Sequence, residues 1–259
     1  LADFQSARYD RVLEGANQVR PGAETLVLNT KRAASDARIA SIQRNIDALV
    51  EGGVREYLPG RIDALEQVLA EARTIRQRDT IEAFDEIKDL SLRAIDINDT
   101  INDAFNDLAI AAIRRAGDQI ETTQTVFDRM GDVFAPQDTA GLTPEQAAFE
   151  AQKESRRLEL GQRLENSRRN LQGAFQNQRD ARYKQSILQA EEVRSAAEAV
   201  LDAVYHAVAH NAAIQLASLI SRYERDGATE YSSDELARSQ GDRSQVKGEI
   251  AAGNFRTAV

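Results

Sequence analysis

The chain carries two histidines. They stand four residues apart, as His206 and His210, with Asp202 four residues before them. Side chains at i and i+4 converge on one face of a helix, and imidazole with carboxylate suits Zn²⁺, Ni²⁺ or Cu²⁺. Asp202, His206 and His210 are therefore the candidate metal ligands. Ala207 and Val208 follow His206, so the glutamate of a metalloprotease HExxH helix is missing. The plainer expectation is two imidazoles at the border of a packed seam, hydrogen-bonded or solvated, and it is preferred because this spacing is common in helices.

Two charged stretches invite a binding role. Arg156, Arg157, Arg163, Arg168, Arg169, Arg179, Arg182 and Lys184 could contact phosphates. Glutamates interrupt them, no aromatic platform accompanies them, and the net charge of the chain is −9. Nucleic acid is accordingly set aside as a partner, and the arginines are expected to face an acidic helix instead. Asp96, Asp99, Asp103 and Asp107 form a ladder with Asn98, Asn102 and Asn106. Without the glycine of an EF-hand loop, the ladder is expected to be a solvated helix face.

The chemistry stops there. With 0 cysteines, disulfides, thiolate nucleophiles and Cys-ligated metals are excluded. No Ser-His-Asp arrangement and no phosphate loop is found, because Gly52-Gly53, Pro59-Gly60 and Gly117 follow no strand and no Gly-Lys-Ser/Thr occurs. No catalytic or cofactor-binding residue is assigned, and no cofactor is expected.

The elements that must position these residues are helices. The 259 residues are 42% hydrophobic, 29% charged and 5% aromatic, a mix that suits half-exposed helices better than a thick core. Apolar residues recur at spacings of three and four throughout, which rules out disorder. The expected fold is all-α, an elongated antiparallel helical bundle or coiled-coil hairpin with very long helices.

The stretch 143–227 organises it. Thr143-Pro144-Glu145-Gln146 reads as a helix opening, with Thr143 as N-cap, Pro144 at N1 and Gln146 reaching back. Gly227 is the matching stop. About eighty residues of helix would run roughly 120 Å. Before it, 1–20 and 23–50 read as helices separated by Pro21-Gly22, and the second ends at Gly52-Gly53. After the break at Pro59-Gly60, a run over 61–134 is interrupted near 76–80, where Asp79 or Thr80 can cap a fresh start. The segment 135–142 is a loop, so the flanking helices are expected to be antiparallel neighbours.

Charge supports that hairpin. The segment 79–135 holds thirteen acidic and five basic residues, and 150–184 nine basic and five acidic, so the two arms attract. Folding about the loop sets Leu108 near Leu171, Phe105 near Phe175, Ile113 near Leu164, and Ile120 near Leu158 and Leu160. The half 187–223 is much more apolar than 150–185, so it is expected to form a three- or four-helix base beside a two-helix stalk. Residues 228–259 are polar, a C-terminal arm that is flexible alone or ordered against a partner. The expected domains are thus 1–60, helices packing on the base; 61–227, the hairpin with its loop at 135–143; and 228–259, the arm.

No run of eighteen uncharged apolar residues exists, so no transmembrane span is expected. Leu1 in place of methionine is expected to mark a processed or partial chain. Together these features point to a non-enzymatic structural or interaction protein that associates with itself or with other subunits, in the style of a bacteriophage virion component. A second expectation is an extracytoplasmic sensor module with a pocket near Tyr205, His206 and Tyr223. A third is an α-helical pore-forming or membrane-remodelling protein using the apolar run 108–113. A virion or extracytoplasmic location is favoured over a cytoplasmic one.

Overall fold

A computed structural model describes residues 2–135, 144–226 and 232–255, with side chains for all of these except 2–7, 145 and 146. Helix makes up 91% of it, without a strand among the described residues, and long helices pack against each other as an all-α bundle. The elements are α1 (Ala2–Glu51), α2 (Val54–Tyr57), α3 (Arg61–Arg76), α4 (Ile81–Arg129), a 3-10 turn (Gly131–Phe134), α5 (Pro144–Arg179), α6 (Tyr183–Arg225) and α7 (Ser233–Ala251). They form two compact units, Leu1–Asp107 and Leu108–Val259. The expected loop over 136–142, the Thr143 cap and the Gly227 stop lie outside the described residues, as does the side chain of Gln146.

In the first unit, α1 is continuous. Pro21 lies inside it, so the expected separation into 1–20 and 23–50 is corrected. The missing proline N–H deprives only the Asn17 carbonyl, and Asn17 is exposed, so that carbonyl is not buried without a partner. The expected stops at Gly53 and Gly60 are present, with left-handed φ of 89° and 83°, a conformation glycine adopts without steric cost. Ile42, Ile46 and Leu49 of α1 are buried with Ile62, Leu65 and Leu69 of α3 and Phe84 and Ile87 of α4. The spacings of three and four within each of these helices thus mark a core seam.

The start of α4 is capped as expected at Thr80, whose Oγ1 accepts the Ala83 backbone N–H at 3.2 Å. The joint before it is clamped from α1. Arg32 holds both carboxylate oxygens of Asp79, at 3.0 and 2.5 Å. Arg76 does the same to Asp36, at 2.6 and 3.1 Å. The guanidinium of Arg76 draws the Asp36 carboxyl below its ordinary range, and Arg32 does so for Asp79. Asp79 takes a left-handed φ of 54°, which a short polar side chain tolerates.

The second unit overturns the single long helix. The stretch breaks between α5 and α6, and α6 folds back antiparallel along α5. The Arg182 N–H bonds to the Asn177 carbonyl at 2.8 Å and the Ala181 N–H to that of Gln178 at 3.1 Å. This is a Schellman ending, with Ala181 at φ 56° in the place usually held by glycine. Small residues close the hairpin: Ala174 and Ala190 are fully buried, and a Cβ on Gly173 would stand 2.4 Å from Gln189 Nε2. Across the same contact Ser186 donates to the Ala174 carbonyl at 2.9 Å.

The fold-back turns the expected two-helix stalk into three helices. Arg115 on α4 meets Glu191 on α6 at 3.3 Å, and Thr123 donates to the Ala197 carbonyl at 3.2 Å. The apolar half of the stretch is therefore covered within its own unit. The expected register is also corrected. Gly117, not Leu108, faces Leu171, and Gly161 faces Phe127. Leu158 is 66% and Phe175 45% exposed, while Phe105 lies against Tyr57 with ring centroids 5.6 Å apart. The physical reason is Phe134. Its turn leaves α4 early and buries that ring among Leu160, Val200, Val204 and Ala207, so the first turns of α5 pack beyond the end of α4.

In the C-terminal arm, α7 packs on α6. Its helix, α7, opens at Ser233-Asp234-Glu235 and continues without a break to Ala251. Leu236 is buried, and Gln240 bonds to Glu224 at 3.0 Å.

The left-handed alanine gives a test. Ala181 is exposed, so Ala181→Gly removes no packing while relieving a conformation that costs an L-residue about 1 kcal/mol or more. The variant is expected to raise the urea midpoint of the full chain. An unchanged or lower midpoint would show that the strain relieved at Ala181 does not exceed the entropy that glycine adds to the unfolded chain.

Candidate functional site

The most unusual chemistry lies between α5 and α6, far from the aqueous surface. Lys153 is 1% and Glu150 5% exposed, on successive turns of α5. The Lys153 Nζ lies 2.7 Å from Glu150 Oε1 and donates to Asn211 Oδ1 of α6, also at 2.7 Å. The ammonium is 6.0 Å from the centre of the Phe149 ring, and the Arg156 guanidinium is 5.4 Å from it. A buried cation is tolerable only when paired and hydrogen-bonded, and Lys153 is both. The arrangement is suited to fixing how α5 sits on α6.

The two histidines continue this cluster outward. His210 stacks on Phe149 at 5.3 Å, His206 meets His210 at 4.4 Å, and Phe255 beyond α7 caps His206 edge-on at 4.5 Å. Burial, then His210, then Arg156 push the His206 imidazole below its ordinary value. His206 is thus neutral at neutral pH and binds a proton more weakly folded than unfolded. The stability this gives is complete above the unfolded-state value, near 6.5, and is lost as pH falls through the folded-state value.

The melting temperature is expected to drop less between about pH 7.5 and pH 5 in His206→Gln than in the parent chain. The difference should correspond to less than about 1 kcal/mol, because the ring is only half-buried and water screens it. Identical pH profiles would show that His206 does not couple protonation to folding.

The sequence-predicted ligands are only partly united. His206 and His210 come together, with ring faces occupied by each other and by Phe149 and Phe255, while Asp202 is exposed on the turn before. Among the described residues no group of three or more His, Cys, Asp or Glu could hold a metal ion. Tyr223, expected to share a pocket with His206, is 54% exposed.

The arginine stretch finds partners along its own helix: Arg163 with Glu159 at 2.5 Å, Arg168 and Arg169 with Glu165 at 3.6 Å. Its contact with α4 is a hydrogen bond from Arg168 to the amide of Gln124 at 3.0 Å. Helical neighbours compete effectively for these side chains once the arms are out of the expected register. Asp96, Asp99, Asp103 and Asp107 are exposed, as expected. In the run 108–113, Ala109, Ala112 and Ile113 are buried in the core, and no described helix is long and apolar enough to cross a membrane.

Sequence reasoning passed over Lys153, Glu150 and Asn211. The available signal was Asn211, a polar residue inside the most apolar part of α6, which needed a partner once buried.

The second candidate lies in the first unit, on the N-terminal half of α1. Tyr9 is 75%, Val12 68%, Val19 70% and Leu26 68% exposed. With Ala16 and Ala23 they recur every three or four residues, the pattern of a helix that packs lengthwise on another. Isolated surface leucines are ordinary, but a continuous stripe marks an interaction surface. No family model, no curated protein and no solved structure matches this chain.

Proposed function

We propose that the chain is a non-enzymatic structural or interaction protein, a helical component of a larger assembly. One observation carries this reading: the stripe of Tyr9, Val12, Val19 and Leu26 stands in water along α1, where a helix that served only its own fold would be polar. The enclosed Lys153 supports it from the other side, because that cation is committed to joining α5 and α6. Within this class, a bacteriophage virion protein is the reading that the composition supports, with long helices rich in Ala, Gln and Arg and 0 cysteines.

Gradient sedimentation of an extract of the native source, followed by immunodetection of the chain, tests the proposal. The chain is expected in a species much heavier than 28.6 kDa. A single species of that mass would overturn the reading.

A further inference from the structure

We infer that the exposed stripe of α1 is the seat of a second copy of this chain, whose 9–26 segment lies antiparallel on the same segment. The inference rests on the interaction role proposed above and names the partner. Tyr9, Val12, Ala16, Val19, Ala23 and Leu26 form one seam on a helical wheel, with Leu13 and Val27 widening it. Pro21 falls on the opposite side, so the missing N–H does not disturb the seam. Gly15 and Gly22 have open space around them, which lets a second backbone come close.

Three properties select a copy of the chain over an unrelated partner. The first is size matching. An antiparallel pair sets Tyr9 opposite Leu26, Val12 opposite Ala23, and Ala16 opposite Val19. The four inner layers, two of each kind by symmetry, then each combine a small side chain with a larger one, as interdigitating cores require. A parallel pair would stack Ala16 on Ala16 and Val19 on Val19, alternating thin and thick layers.

The second is charge. Arg8, Arg11 and Arg20 balance Asp10, Glu14 and Glu24 along the segment, so a copy meets no field of its own sign. The third is area. Tyr9, Val12, Leu13, Val19, Leu26 and Val27 are 47–75% exposed and together present on the order of 700 Å², close to the ~800 Å² per partner of a standard interface. A two-fold arrangement uses one patch twice and closes on itself.

Sedimentation equilibrium of the purified full chain is the test, with Val12→Glu/Val19→Glu as the variant. The parent chain is expected at twice 28.6 kDa in the micromolar range, with the variant associating about a hundredfold more weakly or worse. Because both valines are exposed, helical circular dichroism should be unchanged. Should the variant lose helicity, Val19→Ser at the same seam replaces it.

The absence of cysteine allows an independent measurement. A mixture of Tyr9→Cys and Leu26→Cys chains is expected to form a disulfide-linked heterodimer on oxidation, and Tyr9→Cys alone is not. A monomer at about 100 μM, far above interface-grade affinities, would overturn the inference, as would a dimer untouched by the substitutions or efficient Tyr9→Cys self-linkage. A purified monomer beside a heavy species in the native extract would remove the second copy and leave the interaction role standing. Monomers in both would remove both.

Discussion

Lys153→Met is expected to lower the stability of the chain by about 3–5 kcal/mol, the typical cost of taking one partner from a buried ion pair. Methionine fills most of the volume of lysine, so the loss is electrostatic rather than steric. The Glu150 carboxylate, with its side chain 2% exposed, would lose the ammonium 2.7 Å away. Asn211 would lose its donor at the same time.

The double variant Glu150→Gln/Lys153→Met separates this account from simple misfolding. With charge removed from both positions, most of the lost stability should return, because replacing a whole buried pair is often neutral or better. Urea denaturation of the three chains gives the comparison. A single variant within about 1 kcal/mol of the parent, or a double variant no better than the single, would show that the pair does not hold α5 against α6.

Such a result also bears on why an ion pair is kept where an apolar pair would serve. The expected gain is specificity. Antiparallel helices as long as α5 and α6 can slide by a turn and still bury alanines, leucines and valines against one another. A slide of one turn would carry Lys153 away from Asn211 and leave its charge facing apolar side chains. The buried cation thus favours one register at the far end, while the turn before Arg182 and Ser186 on the Ala174 carbonyl fix the near end.

The fold class was legible because the apolar spacing repeats along the chain, and the joint at Thr80 was legible because its cap is local. Seams such as Ile42, Ile46 and Leu49 carry their partner-facing geometry in their own numbering. The break at Ala181 was hidden for a physical reason: a left-handed helix ending is recognised by glycine, and here alanine holds the position. Once that turn was missed, the acidic and basic arms suggested a register that the structure does not have. Asn211 could not be matched to Lys153, nor His206 to Phe255, because both contacts exist only after α6 and α7 fold back. Pro21 misled in the opposite direction, since a proline on an exposed helix face removes one hydrogen bond and no packing. The stripe from Tyr9 to Leu26 was not singled out, because spacing alone cannot tell a core seam from one left open to water.

Phe134→Ala is the second large effect expected, again about 3–5 kcal/mol. The four-residue 3-10 turn that carries Phe134 has little stability of its own. Its closing bonds are Val133 N–H to the Met130 carbonyl at 3.0 Å and Ala135 N–H to that of Asp132 at 3.1 Å. What holds it is the ring, 1% exposed among Leu160, Val200, Val204 and Ala207 and tilted against Phe127 at 6.1 Å. Removing the ring opens a cavity that three helices would have to collapse to fill, and long helices pinned elsewhere cannot all move inward. Phe134→Leu should cost no more than about 1.5 kcal/mol, because it keeps most of the volume.

Hydrogen exchange distinguishes this plug role from general weakening. The amides of α5 before Leu160 should lose protection in Phe134→Ala more than those near Ser186, because Phe134 is what the early turns of α5 pack on beyond the end of α4. Uniform loss along α5, or a cost below about 1 kcal/mol, would mean that α6 alone seats the start of α5. The displaced register would then need a cause other than Phe134.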